Sequence, residues 1–285
     1  MKNFSKISAL ALLAIALTSC LKDEPVEDQK YGMINVGDIE VVGASSASKA
    51  FSLLLVNKDT TLAFFTVQLN AAEPAPEDIK VTVSMEKSAA LIAAYNTSNS
   101  ASLVEFPASK YTLPDGLVIT IPKGSRTGSL NLKMNPSTLD AAHPYAIGFN
   151  IVSIDKPGYN VSGNMNTTVV RASARNLYEG SYKAIGVFTH PTAGPRAINR
   201  TKALTTINAT TCRMELGDLG TSNYFMYVQV NADNSVTLLP DPTAAAAPFS
   251  TGVNKYDPAT KAFTLNYAYN AAAPRLVSEV VTFVK

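Results

Sequence analysis

The sequence predicts a mostly β chain of two domains, and three observations predict it. Helical periodicity is scarce, strand-like alternation recurs at short intervals, and turn residues separate the alternating runs. Residues 20–285 are long for one domain and enough for two, each able to bury its own core. The division is expected near Ala174, giving one β domain over 32–174 and a second over 175–285.

The segment ahead of these domains reads as an export signal. Lys2 and Lys6 make a basic start, Ile7–Leu17 is an uncharged run rich in Ala and Leu, and the small residues Thr18 and Ser19 precede Cys20. That run suits a signal-peptide core and is too short to span a bilayer, which takes about 20 residues. Leu17-Thr18-Ser19-Cys20 reads as a lipobox. Residues 1–19 are then expected to be cleaved and Cys20 to carry lipid, because its thiol can form a thioether to diacylglycerol and its freed amine can take a further acyl chain. Two or more chains give stable anchoring, at about 0.8 kcal/mol per buried CH₂. The alternative is an ordinary signal peptide followed by a chance cysteine. Residues 20–31 are polar and charged, as a solvated tether should be.

The strands follow in order. Ile34–Val42 opens the folded part. Phe51–Val56 and Leu62–Leu69 flank the turn Asn57-Lys58-Asp59-Thr60. Val81, Val83 and Met85 alternate with Thr82, Ser84 and Glu86, and Leu130, Leu132 and Met134 alternate with Asn131, Lys133 and Asn135. Each run fits a strand with one wet and one dry face. One helix is expected: Ser88 is placed to cap it, Leu91, Ala94 and Tyr95 fall at i, i+3, i+4 spacing, and it should end near Asn96. In the second domain, Tyr224–Val230 and Ser235–Leu239 flank a hairpin turn at 231–234. Phe263, Leu265, Tyr267 and Tyr269 alternate with polar or small residues, and Leu276–Val284 closes the chain. His190–Arg196 and Pro240–Pro248 read as longer loops, the latter with four consecutive alanines.

Charge and chemistry exclude several classes. Without Lys2 and Lys6 the 24 basic residues fall to 22, equal to the 22 acidic ones, and no basic patch suggests nucleic acid. With Cys20 lipidated, Cys212 has no disulfide partner and is expected as a small buried apolar group. His143 and His190 each precede a proline and lack metal-ligand spacing. Neither a G-x-S-x-G elbow nor a phosphate loop is present. Glu215, Asp218 and Glu279 could serve as a glycosidase pair, but no signature surrounds them. We therefore expect no enzyme, no cofactor and no metal site.

Tyr95-Asn96, Phe106-Pro107, Tyr111, Ile119-Thr120-Ile121-Pro122-Lys123-Gly124, Tyr145 and Ile151 carry a family resemblance over about Ile34–Arg171. This part resembles the N-terminal domain of Bacteroidota lipoproteins known as domain of unknown function 1735. It departs from the pattern at Phe106, where leucine is usual, and at Ala146-Ile147, where a proline often stands. The resemblance implies an immunoglobulin-like β-sandwich with a short helix. Tyr178-Glu179-Gly180-Ser181-Tyr182, Tyr256-Asp257-Pro258, Phe263–Tyr267, Arg275 and Glu279 resemble domain of unknown function 4361, which implies a small antiparallel, lipocalin-like β-barrel. The acidic residues after Cys20 resemble a surface-export signal, implying the outer membrane and its outer face. Asp59-Thr60-Thr61 resembles a short O-glycosylation pattern, placing a sugar on Thr60.

These resemblances imply a glycan-binding accessory of a polysaccharide-utilisation system, beside an outer-membrane transporter complex. Sugar binding needs flat aromatic faces and a few polar groups. The second domain supplies Tyr182, Tyr224, Tyr227, Tyr256, Tyr267 and Tyr269, which could touch a ligand or simply fill a barrel. The alternative is a structural or adhesin-like lipoprotein that binds protein and no sugar; the absence of Trp leans that way.

Overall fold

The computed structural model describes residues 40–284. Cys20, the expected signal segment 1–19, the expected tether 20–31 and the first part of the expected Ile34–Val42 strand lie outside them. The described chain is mostly β, as expected, and forms a sandwich followed by a barrel-like sheet.

The sandwich uses β1 (Glu40–Ala44), β2 (Ser48–Leu54), β3 (Thr60–Asn70), β4 (Ile79–Ser84), α1 (Ser88–Asn99), β5 (Val104–Glu105), β6 (Tyr111–Thr112), β7 (Val118–Ile121), β8 (Thr127–Met134), β9 (Tyr145–Ile154), β10 (Tyr159–Val161) and β11 (Thr167–Arg175). One sheet runs β10-β1-β3-β8-β6 and the other β2-β11-β9-β4-β7, with β5 beside β9. The alternation in β4, β7 and β8 turns Val81, Ile119, Ile121, Leu130 and Leu132 into the space between the sheets, each fully buried. β3 departs from strict alternation. Its register against β8 shifts between Ala63 and Phe65, and this bulge lets the adjacent Phe64 and Phe65 both face inward. Phe65 stacks on Phe149 at 5.1 Å and Phe64 on Phe51 at 5.4 Å, tying the two sheets together.

β9 is covered on both faces. One face meets the sandwich core, and Ala146 and Gly148 lie under α1. A Cβ on Gly148 would come within 2.8 Å of Leu91 Cβ and 3.0 Å of the Ser88 backbone, so glycine sets how closely the helix approaches. Two helix expectations change here. Lys87 occupies the N-cap position with no side-chain bond, and the Ser88 hydroxyl accepts from Gly148 N at 3.0 Å instead. The helix also runs past Asn96 to Asn99. Thr97, Ser98 and Asn99 donate back to the carbonyls of Ala93, Ala94 and Tyr95, so residues read as a terminator extend the last turn. Asn96 then holds the exit by accepting from Leu103 N and donating to Leu103 O, both at 2.9 Å.

The barrel uses β12 (Gly180–His190), β13 (Gly194–Thr206), β14 (Thr211–Glu215), β15 (Phe225–Val230), β16 (Val236–Pro240), β17 (Pro248–Ser250), β18 (Lys255–Asp257), β19 (Ala262–Tyr269) and β20 (Arg275–Phe283). The antiparallel order is β16-β15-β14-β13-β12-β20-β19-β17, with β18 also on β19. The sheet curls until its ends meet. Val236 N donates to Asn254 O at 3.0 Å, and Tyr256 N to Asn234 O at 2.9 Å, bridging Ser235 to Lys255. The expected turn at 231–234 is present, with Asn234 at φ 64°. The expected loop His190–Arg196 is largely strand. Gly194, Pro195 and Arg196 pair with His190, Thr189 and Phe188, leaving a three-residue turn in which His190 Nδ1 accepts from Thr192 N and Ala193 N.

Four residues join the domains. Asn176 is buried at this junction and seals one barrel end. Its amide donates to Asn208 O and Thr211 O, and its oxygen accepts from Tyr178 N.

Candidate functional site

The six candidate tyrosines fall into three settings. Tyr182, Tyr256 and Tyr267 are core residues, exposed by 9% or less. Tyr182 and Tyr256 pack with Phe263 at 5.7 and 4.7 Å beside the junction end. Burial pushes the Tyr182 phenol well above its ordinary range, and its hydroxyl donates to Tyr178 O at 2.9 Å. Tyr227 lies on the outer face of β15, opposite Arg213, which stacks over Phe225 at 3.6 Å. Tyr224, partly exposed, and Tyr269, only 6% exposed and part of the same core, come together at the other barrel end, 5.2 Å apart and tilted.

A polar group fills the middle of the barrel. Lys202 Nζ donates to both Glu279 oxygens, at 2.7 and 2.6 Å, with neither side chain exposed. Tyr267 donates to Glu279 Oε1 at 2.7 Å and accepts from Gly217 N at 2.8 Å. Burial lowers the Lys202 pKa against the pull of Glu279, and burial with the nearby carboxylate raises that of Tyr267. Glu215 stands beside Lys202, accepts from Gly220 N at 3.0 Å and lies 2.8 Å from Arg200 Nε. Burial raises its pKa despite these cations. Glu279 is thus held by an ammonium and a phenol, and Asp218 is held by Arg196.

Beside the Tyr224–Tyr269 end of the barrel lies a cleft of about 580 Å³, lined by Tyr224, Phe249, Tyr269, Asn270, Arg275 and the alanine loop. Three elements build it. Asn223, in the left-handed region at φ 59°, turns the chain into Tyr224. Asn270, also left-handed, starts the turn between β19 and β20. The Pro240–Pro248 loop forms the third wall and is pinned at its base. The buried Asp241 accepts from Thr243 N at 2.9 Å and Thr243 Oγ1 at 2.7 Å, and pairs with Arg213 at 2.6 Å. Burial opposes ionisation of Asp241, but these bonds win and hold its carboxyl below the ordinary value. Asn223 then ties the loops together, donating its amide to Thr243 O and accepting from Ala245 N. Small side chains at Ala245–Ala247 leave the space open. Burial, then the neighbouring Tyr224, raises the Tyr269 phenol, so it stays a neutral hydroxyl. Arg275 lies over the Tyr269 ring at 5.9 Å and donates from Nη1 to Ala273 O at 2.9 Å.

This is a stacking surface with hydrogen-bonding groups at its rim. Of the residues lining it, the sequence pointed to Tyr224 and Tyr269 as ligand contacts. Phe249 and Asn270 were missed, and Arg275 entered only through the family pattern. The four alanines were the available signal: a loop without bulky groups, beside an aromatic strand end, leaves a hollow.

Cys212 is buried, and burial pushes its thiol up to about 12. Its Sγ lies 3.2 Å from Asn176 Oδ1. Thr60 is partly exposed at the start of β3, where its hydroxyl donates to Lys58 O at 3.2 Å. Among the described residues, His, Cys, Asp and Glu form no group of three or more that could hold a metal ion. No helix among them is long and apolar enough to cross a membrane.

Family models match both halves. One, described as an N-terminal domain, covers residues 29–158, and its C-terminal counterpart covers 166–283. Together the two matches span most of the chain. The second match begins at β11, although that strand pairs with β2 and β9 inside the sandwich. A Bacteroides ovatus protein of unknown function has the same fold at TM-score 0.63 and 13% identity, over 86% of this chain and 95% of that one. A B. ovatus multidomain protein that includes domain of unknown function 1735 matches at TM-score 0.55 and 14% identity, over 85% of this chain and 92% of that one. At such identities the likeness is one of fold. No curated protein matches the chain.

Proposed function

We propose that this protein is a lipoprotein of the outer-membrane surface, anchored through Cys20, that captures glycan without catalysis for a polysaccharide-uptake complex. One observation carries the binding role: the cleft at this barrel end, where Tyr224 and Phe249 offer ring faces over the buried Tyr269 and Asn270 and Arg275 offer polar groups. Sugar rings present apolar C–H faces between hydroxyls. Aromatic faces bind the former and rim groups the latter. The lipobox and acidic tether support the address. The carry-over of domain of unknown function 4361 onto the barrel, the transporter partner and a sugar on Thr60 belong to the same proposal.

Glycan arrays and affinity gels test the binding role. The expected result is retention by at least one polysaccharide, weakened by Tyr224→Ala. A folded protein silent on every polysaccharide would sink it.

A second reading has its own support. Ile185 and Val187 of β12, Val280 of β20 and Val284 just past its end are 45–59% exposed. Such an apolar row suits a protein partner. Recovery of one stoichiometric partner from outer membranes, lost on Ile185→Asp, would favour this interaction role.

A further inference from the structure

The cleft carries a charge preference that general sugar binding does not require. The barrel has four arginines, Arg196, Arg200, Arg213 and Arg275. Arg196 pairs with Asp218, Arg200 with Glu215 and Arg213 with Asp241. Lys202 pairs with Glu279 in the interior. Among the described residues Arg275 has no carboxylate partner. Its Nη1 donates to Ala273 O. A guanidinium has five N–H donors in a planar fork, so most of this fork is uncommitted at the cleft. None of the residues lining the cleft is acidic.

Position adds to charge. Arg275 is partly buried at the first position of β20, paired in register with Tyr269, and that ring stands 5.2 Å from Tyr224. Tyr269 itself is buried, and a sugar ring resting on the partly exposed Tyr224 would bring its exocyclic substituents toward the fork. Arginine is matched to oxyanions, which it can bind through two parallel hydrogen bonds. Neutral hydroxyls use such a fork poorly.

We infer that the cleft selects an acidic saccharide, its sugar ring stacked on Tyr224, which Tyr269 backs, and its oxyanion held by Arg275. The inference rests on the glycan-binding reading and narrows it to one class of ligand. The oxyanion can be a ring carboxylate or a sulfate ester, since both present two oxygens to the fork.

Affinity electrophoresis of the full-length chain in mild detergent tests it. The gels contain polygalacturonate or hyaluronan for carboxylate, dextran sulfate for sulfate, and dextran or galactan as neutral controls. Retardation by an acidic polymer is expected, with affinity falling about tenfold or more in Arg275→Gln, the range for losing a charge-assisted hydrogen bond. Tyr224→Ala should weaken the same polymer, and Arg275→Lys should keep part of the affinity. Whichever acidic gel responds identifies the oxyanion. Equal retardation by neutral polymers, or an Arg275→Gln protein that binds as the parent does, overturns the charge assignment and leaves the glycan reading standing. Loss on Arg275→Gln with Tyr224→Ala unchanged overturns the placement in the cleft. Silence on every gel overturns both readings together.

Discussion

Single residues decide the barrel interior, where the most costly group is Lys202. Its ammonium is fully buried and is made tolerable by Glu279 and the hydroxyl of Tyr267 behind it. Removing one member of such a pair strands the other charge, at about 3–5 kcal/mol, whereas replacing both with apolar groups is often neutral. Lys202→Met should therefore lower the urea midpoint sharply, and Lys202→Met with Glu279→Leu should recover most of the loss. Cys212 gives a second residue-scale prediction. Its thiol is raised from 9.0 to about 12, so the native protein holds a proton that the unfolded chain releases first. Stability from this group is complete below pH 9 and falls as pH rises toward 12. Cys212→Ala should flatten part of the decline in unfolding free energy between pH 9 and 10, the remainder coming from tyrosines whose phenols burial also raises. A decline as steep as the parent's would refute the assignment. The sequence announced Cys212 as buried because a lone cysteine in an alternating run has few other uses. It gave no warning of Lys202 against Glu279, since the two residues are 77 positions apart and meet only when β13 and β20 flank β12.

At the scale of elements, alternation revealed the strands with one wet face and missed features that depend on a neighbour. β4, β8, β15 and β19 were legible because each keeps an apolar face at period two. The hairpin at 190–196 was hidden because Pro191, Gly194 and Pro195 mimic a loop. Its strand character comes from pairing with β12, not from its own composition. The helix end was misjudged for a related reason: Thr97, Ser98 and Asn99 favour loops only when no carbonyl one turn back accepts from them. The cleft was half legible, because aromatic residues can be read from sequence but the alanine loop that shapes the hollow is positioned by Asp241 and Asn223 through tertiary contacts. The docking of α1 on β9 is testable at one atom. A methyl at position 148 would press on Leu91 Cβ and the Ser88 backbone, and backbone cannot yield as a flexible side chain can. Gly148→Ala should cost about 1–3 kcal/mol, the usual range for overpacking. Gly163, where an added Cβ meets nothing within 4 Å, is the control, and Gly163→Ala should change the urea midpoint little. Equal effects from the two substitutions would mean that helix docking does not set the requirement.

For the whole molecule, chain order gives each part a place along one path. The segment read as a tether precedes β1 in sequence, the sandwich follows, and four residues lead into the barrel at the end where Asn176 is buried. The cleft lies at the opposite barrel end, beside the turn between β19 and β20. An anchor at Cys20 would leave two domains between the lipid and the ligand groups, and that arrangement suits capture from outside the cell. The anchor itself is the part to test. Cells fed radiolabelled palmitate should label the full-length protein, and Cys20→Ala should abolish the label and shift the protein out of the membrane fraction. The ordinary signal-peptide alternative predicts the reverse, with no label in the parent and the same soluble distribution for both proteins. Protease added to intact cells then reports the face. An outward-facing protein is digested while a periplasmic control survives. Labelled protein that resists protease until the outer membrane is opened would keep the lipid on Cys20 but place the cleft in the periplasm. The ligand would then have to be a saccharide small enough to have already crossed the outer membrane.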